Sequence, residues 1–333
     1  MNEIKSIISD IKGGNLKPIY FLMGEEPYYI DKISDYIEAN VLDESEKGFN
    51  QVVMYGRDVS IDEIMSSAKR YPMMADKQVI IVKEAQDLSR TIDKIEAYAA
   101  NPQLTTVLVF NYKYKKLDKR KKSYKTIAKN GLIYESKKLY ENQVADWIRR
   151  VLGGKKYNIE PKASQMLVEF LGTDLSKIAN ELDKLTSVLS KDTIITDKHI
   201  EENIGISKDF NNFELRKAIG QREVVKANRI INYFGQNPKN NPLVMTISLL
   251  NSFFTQLLMY HGLKDKSKAS VAKNLGVNPY FVDDYTSAAR NYPMRKVSQV
   301  IALLREADVK SKGVGANQSH ADILKELLFK IMH

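Results

Sequence analysis

Short apolar runs alternate with helical patterns through the first third of the chain, and this alternation constrains the fold more than any other feature. The first run, Ile19–Met23, ends at Gly24 and has the length of one buried strand. Because helical patterns separate the runs, we expect parallel strands joined by crossover helices. The predicted strands are Ile19–Met23, Gln51–Tyr55, Val79–Val82, Thr106–Phe110 and Leu132–Tyr134, and the predicted helices are Tyr29–Val41, Ser60–Arg70, Thr91–Ala100 and Ser123–Lys129. The sequence therefore predicts an α/β domain over residues 1–140.

The rest of the chain has the three-and-four spacing of apolar residues that is typical of helices, and no strand is predicted beyond Asn142. Gly153-Gly154 is expected to end the first of these helices, and Pro161 suits the first turn of the next. A polar stretch at 207–212 then precedes five or six further helical patterns. We therefore predict a small all-α domain over residues 141–209 and a larger all-α domain over residues 210–333.

Composition narrows the class of protein. A chain of 333 residues with 43% hydrophobic content can form two or three packed domains. Its 51 basic and 41 acidic residues leave a net charge of +10, which favours a polyanion or an acidic partner. Without cysteine it can form neither disulfides nor thiolate zinc sites. The first ten residues lack the pattern of a secretory signal, so we expect a cytoplasmic protein.

One apolar stretch, Leu243–Leu263, has the length of a membrane span. It contains six polar residues, including Asn251 and Gln256, each of which would be costly in hydrocarbon. We therefore predict that it is a core helix of a helical domain.

The first strand is followed by a glycine, as in phosphate-binding loops of the form G-x-x-x-x-G-K-[ST]. In this chain Gly24 is retained, but the later positions of that pattern hold Tyr29, Ile30 and Asp31. Glu25 and Glu26 would also place carboxylates near the phosphates, and like charges repel. These residues predict a nucleotidase-like scaffold whose nucleotide site is degenerate.

No other catalytic group is predicted. The four histidines are far apart in the sequence, and no carboxylate or second histidine lies at ligand spacing from any of them. Asp283 and Asp284 are adjacent on a predicted helix, so their side chains diverge by about 100 degrees. We therefore expect no catalytic residue, no metal and no cofactor.

Four fragments in order along the chain resemble the delta subunits of bacterial DNA polymerase III clamp loaders. They are Pro18–Tyr28, Tyr71–Gln78, Gly172–Leu175 with Asn180–Leu185, and Ala307-Asp308 followed by Lys310. The resemblance implies a AAA+-like α/β domain that has lost its nucleotide site, a helical lid and a helical collar that joins the subunits of the loader. It also implies a non-catalytic subunit that opens the sliding clamp during DNA replication. The implied partners are the clamp, ATPase and delta-prime subunits, and primed DNA.

The resemblance places a hydrophobic plug for the clamp on Met73 and Met74, with Tyr71, Pro72 and Lys77 beside it. The residues give independent support, because Pro72 is expected to end the preceding helix and to leave two large apolar neighbours at a turn. Adjacent side chains there cannot both face one core. The alternative is that one methionine packs inside and the other is an ordinary exposed residue.

A dense basic tract follows the fourth strand and is a candidate for phosphate contact. Its members are Lys115, Lys116, Lys119, Arg120, Lys121 and Lys122. A solvated surface explains the tract equally simply and is the interpretation we favour. Two other functions stay open, an active AAA+ ATPase and a general DNA-binding protein. The first needs a phosphate loop, and the second needs tight DNA binding without a clamp.

Overall fold

A computed structural model describes residues 2–314 and 318–333. The chain divides into two compact units, of which the first ends at Leu139 and the second begins at Tyr140. The first unit is α/β and the second is mainly helical, so the predicted fold class is confirmed.

The first unit contains a five-stranded sheet in the order β2-β3-β4-β1-β5, and all of its strand pairs are parallel. Its strands are β1 (Ile19–Gly24), β2 (Gln51–Tyr55), β3 (Gln78–Lys83), β4 (Thr106–Lys113) and β5 (Leu132–Ser136). All five predicted strands are confirmed, and four of them extend by one to three residues. The three central strands are buried almost throughout, whereas β2 forms an exposed edge.

Six α-helices flank this sheet: α1 (Asn2–Lys12), α2 (Pro27–Asn40), α3 (Glu44–Asn50), α4 (Ile61–Ala68), α5 (Ile95–Ala99) and α6 (Lys122–Asn130). The helix predicted over 60–70 ends at Ala68, and the helix predicted over 91–100 becomes a 3-10 turn at Ile92–Lys94 followed by α5. The sequence did not predict α3, which is short and carries few apolar residues. A capping box between Asp43 and Glu46 stabilises its first turn.

The second unit begins with α7 (Glu141–Gly154), α8 (Pro161–Leu171), α9 (Leu175–Val188) and α10 (Asp197–Ile204). The prediction that no strand lies beyond Asn142 is wrong, because β6 (Asn158–Ile159) and β7 (Ile194–Ile195) pair in parallel. Two-residue strands are too short to produce an alternating pattern, so periodicity could not reveal them. They join the chain before α8 to the chain before α10.

Seven further helices complete the second unit: α11 (Asn212–Gly220), α12 (Val224–Gln236), α13 (Leu243–Gly262), α14 (Lys268–Leu275), α15 (Val282–Asn291), α16 (Met294–Ser311) and α17 (His320–Met332). Helix α13 is the one described helix that is long and apolar enough to cross a membrane by length and composition. Residues such as Leu250, Phe254 and Leu257 on this helix are buried in the core that α11 to α17 share. That packing is the arrangement expected of a core helix.

Candidate partner-binding site

The loop between α4 and β3 presents a group of large side chains to solvent. Met73 is 62% exposed and Met74 is 104% exposed, and Tyr71 is exposed as well. Pro72 and Lys77 are half-buried. Neither methionine packs inside the unit, so the interpretation in which one of them belongs to the core does not hold. The loop therefore offers an apolar surface that water covers in the free chain.

Buried polar groups, rather than Pro72, fix the point where α4 ends. The helix stops at Ala68, four residues before Pro72, which corrects the expectation that the proline ends it. The Thr106 hydroxyl donates to the Ala68 carbonyl at 2.8 Å, and the Gln78 amide donates to the Arg70 carbonyl at 2.6 Å. These side chains satisfy carbonyls that a helix end leaves without partners, so the base of the loop is tied to β3 and β4.

Asn50, the last residue of α3, holds the tip of the loop. Its side-chain oxygen accepts the backbone N–H of Met73 at 2.7 Å, and its Nδ2 donates to the Met73 carbonyl at 2.9 Å. The next residue, Met74, has a left-handed backbone with a φ of 52°. A residue with a side chain is strained by roughly 1–2 kcal/mol there, so its neighbours must hold it in place.

A second contact fixes the end of the loop. The Lys77 ammonium donates to the Leu104 carbonyl at 2.8 Å. The side chains of Leu104 and of Phe49, the neighbour of Asn50, are also exposed. Sequence patterns alone did not indicate Phe49, Asn50 or Leu104. No periodicity marks them, because their roles depend on contacts between residues distant in the chain.

The residues predicted to form a degenerate nucleotide site have structural roles. Gly24 has a φ of 126°, and a Cβ there would lie 2.1 Å from the Ser136 carbonyl oxygen, so a glycine is needed for β1 to approach β5. Tyr29 and Ile30 are buried in the unit. The Asp31 carboxylate forms an ion pair with Lys113 at 2.9 Å. The close approach of β1 to β5 is sufficient to explain the glycine at position 24.

The first turn of α2, where a phosphate would sit in a nucleotidase, carries a carboxylate of this chain. Glu26 is buried, and its side chain accepts the backbone N–H of Tyr28 at 3.1 Å. Its own N–H donates to the Ser136 hydroxyl at 3.1 Å. The negative charge thus interacts with the positive end of the helix dipole in the way an anion would.

Lys113 lies between two carboxylates beside this turn. It pairs with Asp31 and with Glu84, each at 2.9 Å. Burial alone would lower the pKa of Lys113, but the hydrogen bonds from its ammonium to Glu84 and Asp31 raise it above its ordinary value. The lysine therefore stays charged and holds the ends of α2, β3 and β4 together.

The basic tract is paired within the first unit. Lys116 bridges Glu25 and Glu135, Lys119 contacts Glu135 at 3.0 Å, and Lys115 donates to the Ser89 hydroxyl at 2.9 Å. The remaining pairs are Arg120 with Asp118, Lys121 with Asp93 and Lys122 with Glu96. Hydrogen bonds from Arg120 lower the pKa of Asp118 to about 2. Each cation already has a partner, so a phosphate would have to compete for it.

Comparison with known proteins gives the same family in both halves of the chain. A family model described as DNA polymerase III, delta subunit, matches residues 20–137. A second, described as the C-terminal domain of the DNA polymerase III delta subunit, matches residues 209–329. The matched residues include the loop that carries Met73 and Met74.

Individual relatives match over nearly the full length. The chain is similar to DNA polymerase III subunit delta of Bacillus subtilis, with 25% identity over 313 residues that cover 91% of this chain and 90% of the relative. A probable delta subunit of Aquifex aeolicus is 20% identical over 314 residues, covering 88% and 86% of the two chains. The solved structure of a Bacillus subtilis DNA clamp loader delta protein has a TM-score of 0.56 at 23% identity and covers 99% of both chains. At this level of identity, the similarity to the solved structure shows a shared fold alone.

Proposed function

This chain belongs to the DNA polymerase III delta-subunit family, and from that premise we propose that it binds the sliding clamp through Met73 and Met74 and opens it for loading onto primed DNA. The observation that carries the proposal is the exposure of both methionines at the tip of an anchored loop. Tyr71, Pro72 and Lys77 belong to the same loop and complete the contact. The flexible thioethers of the two methionines suit an apolar pocket on the partner.

Opening follows from a difference in affinity between two forms of the clamp. A ligand shifts an equilibrium only by its preference for one state. The plug therefore has a higher affinity for the open form of the clamp, in which one interface of the ring is separated, than for the closed form. A loop whose base and tip are hydrogen-bonded suits this role, because an ordered loop loses less conformational freedom when it binds.

The chain contributes no catalytic centre of its own to the polymerase holoenzyme. Support comes from the first turn of α2, where the buried Glu26 side chain accepts the Tyr28 N–H, and from Lys113, which pairs with Asp31 and Glu84. ATP bound and hydrolysed by neighbouring ATPase subunits would expose and withdraw the plug. The active-ATPase alternative would require a nucleotide to displace Glu26.

The other parts of the chain serve assembly in this proposal. Residues 1–140 carry the clamp-binding site, residues 141–209 form the lid, and residues 210–333 form the collar that joins the ATPase and delta-prime subunits. Primed DNA is then reached within the complex rather than by this chain alone. We place the complex in the cytoplasm, as the family implies.

The experiment uses the cognate clamp loaded on nicked circular DNA. The purified chain is added without ATP, and release of clamp from the DNA is followed in time. We expect the chain to bind the clamp and accelerate its release, and to do neither after the double substitution Met73→Ala, Met74→Ala. The matched control is Met259→Ala, Met294→Ala, which removes two methionines that are also exposed, at 47% and 49%.

The outcomes separate the candidate functions. Clamp release that survives the plug substitution would place the contact elsewhere on the chain. Tight DNA binding with no clamp binding would favour the general DNA-binding alternative instead.

A further inference from the structure

Asn50, at the end of the short helix α3, makes hydrogen bonds both within that helix and with the loop. It is 3% exposed, and its side-chain Nδ2 donates both to the Glu46 carbonyl within α3, at 3.2 Å, and to the Met73 carbonyl, at 2.9 Å. Its Oδ1 accepts the Met73 N–H at 2.7 Å. One buried amide therefore satisfies both backbone groups of Met73 in the way a neighbouring strand would.

The residue after Met73 needs that support. Met74 has a φ of 52°, and this left-handed conformation is unfavourable for most residues other than glycine and asparagine. Backbone strain of this kind persists where the surroundings over-determine the conformation. Asn50 fixes the backbone directly before Met74, Lys77 fixes the chain after it, and Gln78 ties the start of the loop at Arg70.

We propose that Asn50 is a positioning residue that holds the Met73–Met74 tip in its binding-ready form, so that clamp affinity depends on a side chain which does not itself touch the clamp. This inference rests on the proposed function. The amide acts by limiting the conformations of the free loop. A loop that is already ordered loses less conformational entropy when it binds, and its affinity is correspondingly higher.

The expected loss of clamp affinity can be calculated from the two hydrogen bonds between Asn50 and Met73. Replacing Asn50 by alanine removes both contacts to Met73 and leaves the methionine side chains intact. A net contribution typical of two such bonds corresponds to a loss in clamp affinity of about 5- to 150-fold. The substitution Asn40→Ala is the matched control, because Asn40 also ends a helix and its Nδ2 donates only to the Tyr36 carbonyl on an exposed surface.

The test is a double-mutant cycle on clamp affinity. Asn50→Ala is measured in the wild-type chain and in the Met73→Ala, Met74→Ala chain. If Asn50 acts through the loop, we expect the large loss in the first background and nearly none in the second. An equal loss in both backgrounds would overturn the proposal, since Asn50 would then act independently of the methionines.

Hydrogen exchange gives a readout that needs no clamp. The Met73 amide donates to Asn50, so we expect it to exchange faster in Asn50→Ala while the amides of β3 and β4 keep their protection. Unchanged exchange at Met73 would contradict the proposed restraint. If Asn50→Ala does not fold, Asn50→Asp serves instead. It keeps the acceptor for the Met73 N–H, loses the donor, and is expected to weaken clamp binding several-fold.

Failure of this inference is distinct from failure of the proposed function. Clamp affinity that is unchanged by Met73→Ala, Met74→Ala refutes the site itself, whatever Asn50 does. Affinity that falls on removal of the methionines and stays unchanged in Asn50→Ala refutes only the positioning role.

Discussion

The carboxylate of Glu26 accepts the backbone N–H of Tyr28 at 3.1 Å, at the first turn of the helix that follows β1. Where a phosphate-binding loop precedes a helix, the first turn of that helix faces an anionic phosphate. Here that turn is capped by the buried Glu26 side chain, while the backbone N–H of Glu26 donates to the Ser136 hydroxyl. The Glu26 side chain therefore caps this helix in place of an external anion.

Replacing Glu26 by alanine tests this capping role. We expect the free energy of unfolding to fall by about 0.5–2 kcal/mol, the usual cost of losing an N-cap side chain. We also expect no ATP binding to appear, because Tyr29, Ile30 and Asp31 supply neither the glycine nor the lysine of a phosphate loop. Urea denaturation and equilibrium ATP binding are the two measurements.

The control for Glu26 is its neighbour Glu25. That residue is exposed and pairs with Lys116 at 3.1 Å on the surface, so Glu25→Ala should change stability by less than about 1 kcal/mol. The capping role would be refuted if Glu25→Ala lost more stability than Glu26→Ala, or if either variant bound ATP.

Neutralising three cations of the basic tract should leave DNA binding by the isolated chain nearly unchanged. The variant is Lys119→Gln, Arg120→Gln, Lys122→Gln, whose members pair with Glu135, Asp118 and Glu96. If all three contacted phosphates, the slope of log affinity against log salt would fall by about 2.7. We expect this slope to change by well below one when DNA binding is measured by fluorescence anisotropy over a range of salt concentrations.

The control for the tract removes the same amount of charge elsewhere. It consists of three exposed lysines, replaced by glutamine: Lys5, Lys12 and Lys264. The two triple variants should behave alike. A steep salt dependence that disappears only when the tract is neutralised would instead assign DNA contact to these residues.

Glu214 couples the stability of the second unit to pH. It is buried and pairs with Lys226 at 2.6 Å and with Lys162 at 3.0 Å. Burial alone would raise the pKa of Glu214, but the hydrogen bonds from Lys226 and Lys162 lower it below its ordinary value of 4.5. A carboxyl group whose pKa is depressed on folding stabilises the protein above that ordinary value, and this stability is lost as the pH falls through the folded pKa.

The variant Glu214→Gln should therefore be less stable than the wild type at pH 7, by about 1–3 kcal/mol, and the difference should shrink below pH 4.5. Urea denaturation at several pH values measures it. A difference that stays constant from pH 7 to pH 3 would show that the charge of Glu214 is not responsible.

Much of the fold could be predicted because its signals are local. The runs that became β1, β3 and β4 are almost entirely apolar, since these strands are buried, and the glycine that ends β1 has a positive φ. Helix α3 and the strands β6 and β7 were missed because they are too short to produce a periodic pattern.

In the candidate site, too, some features are visible in the sequence and others are not. Two adjacent large apolar residues near a proline are visible in the sequence, and both proved to be exposed. The contacts of Asn50 with Met73, of Lys77 with Leu104 and of Gln78 with Arg70 join residues that are distant or not periodic in sequence. They depend on the register of the finished sheet, so residue types alone could not reveal them.

Clamp binding by this loop is tested by the affinity of the purified chain for its cognate clamp, measured with and without Met73→Ala, Met74→Ala. Burial of two methionine side chains contributes about 3–6 kcal/mol. The account therefore predicts that the double variant binds roughly a hundredfold to ten-thousandfold more weakly while its unfolding transition is unchanged, since neither side chain packs in the core. An equal dissociation constant for the two proteins would contradict it.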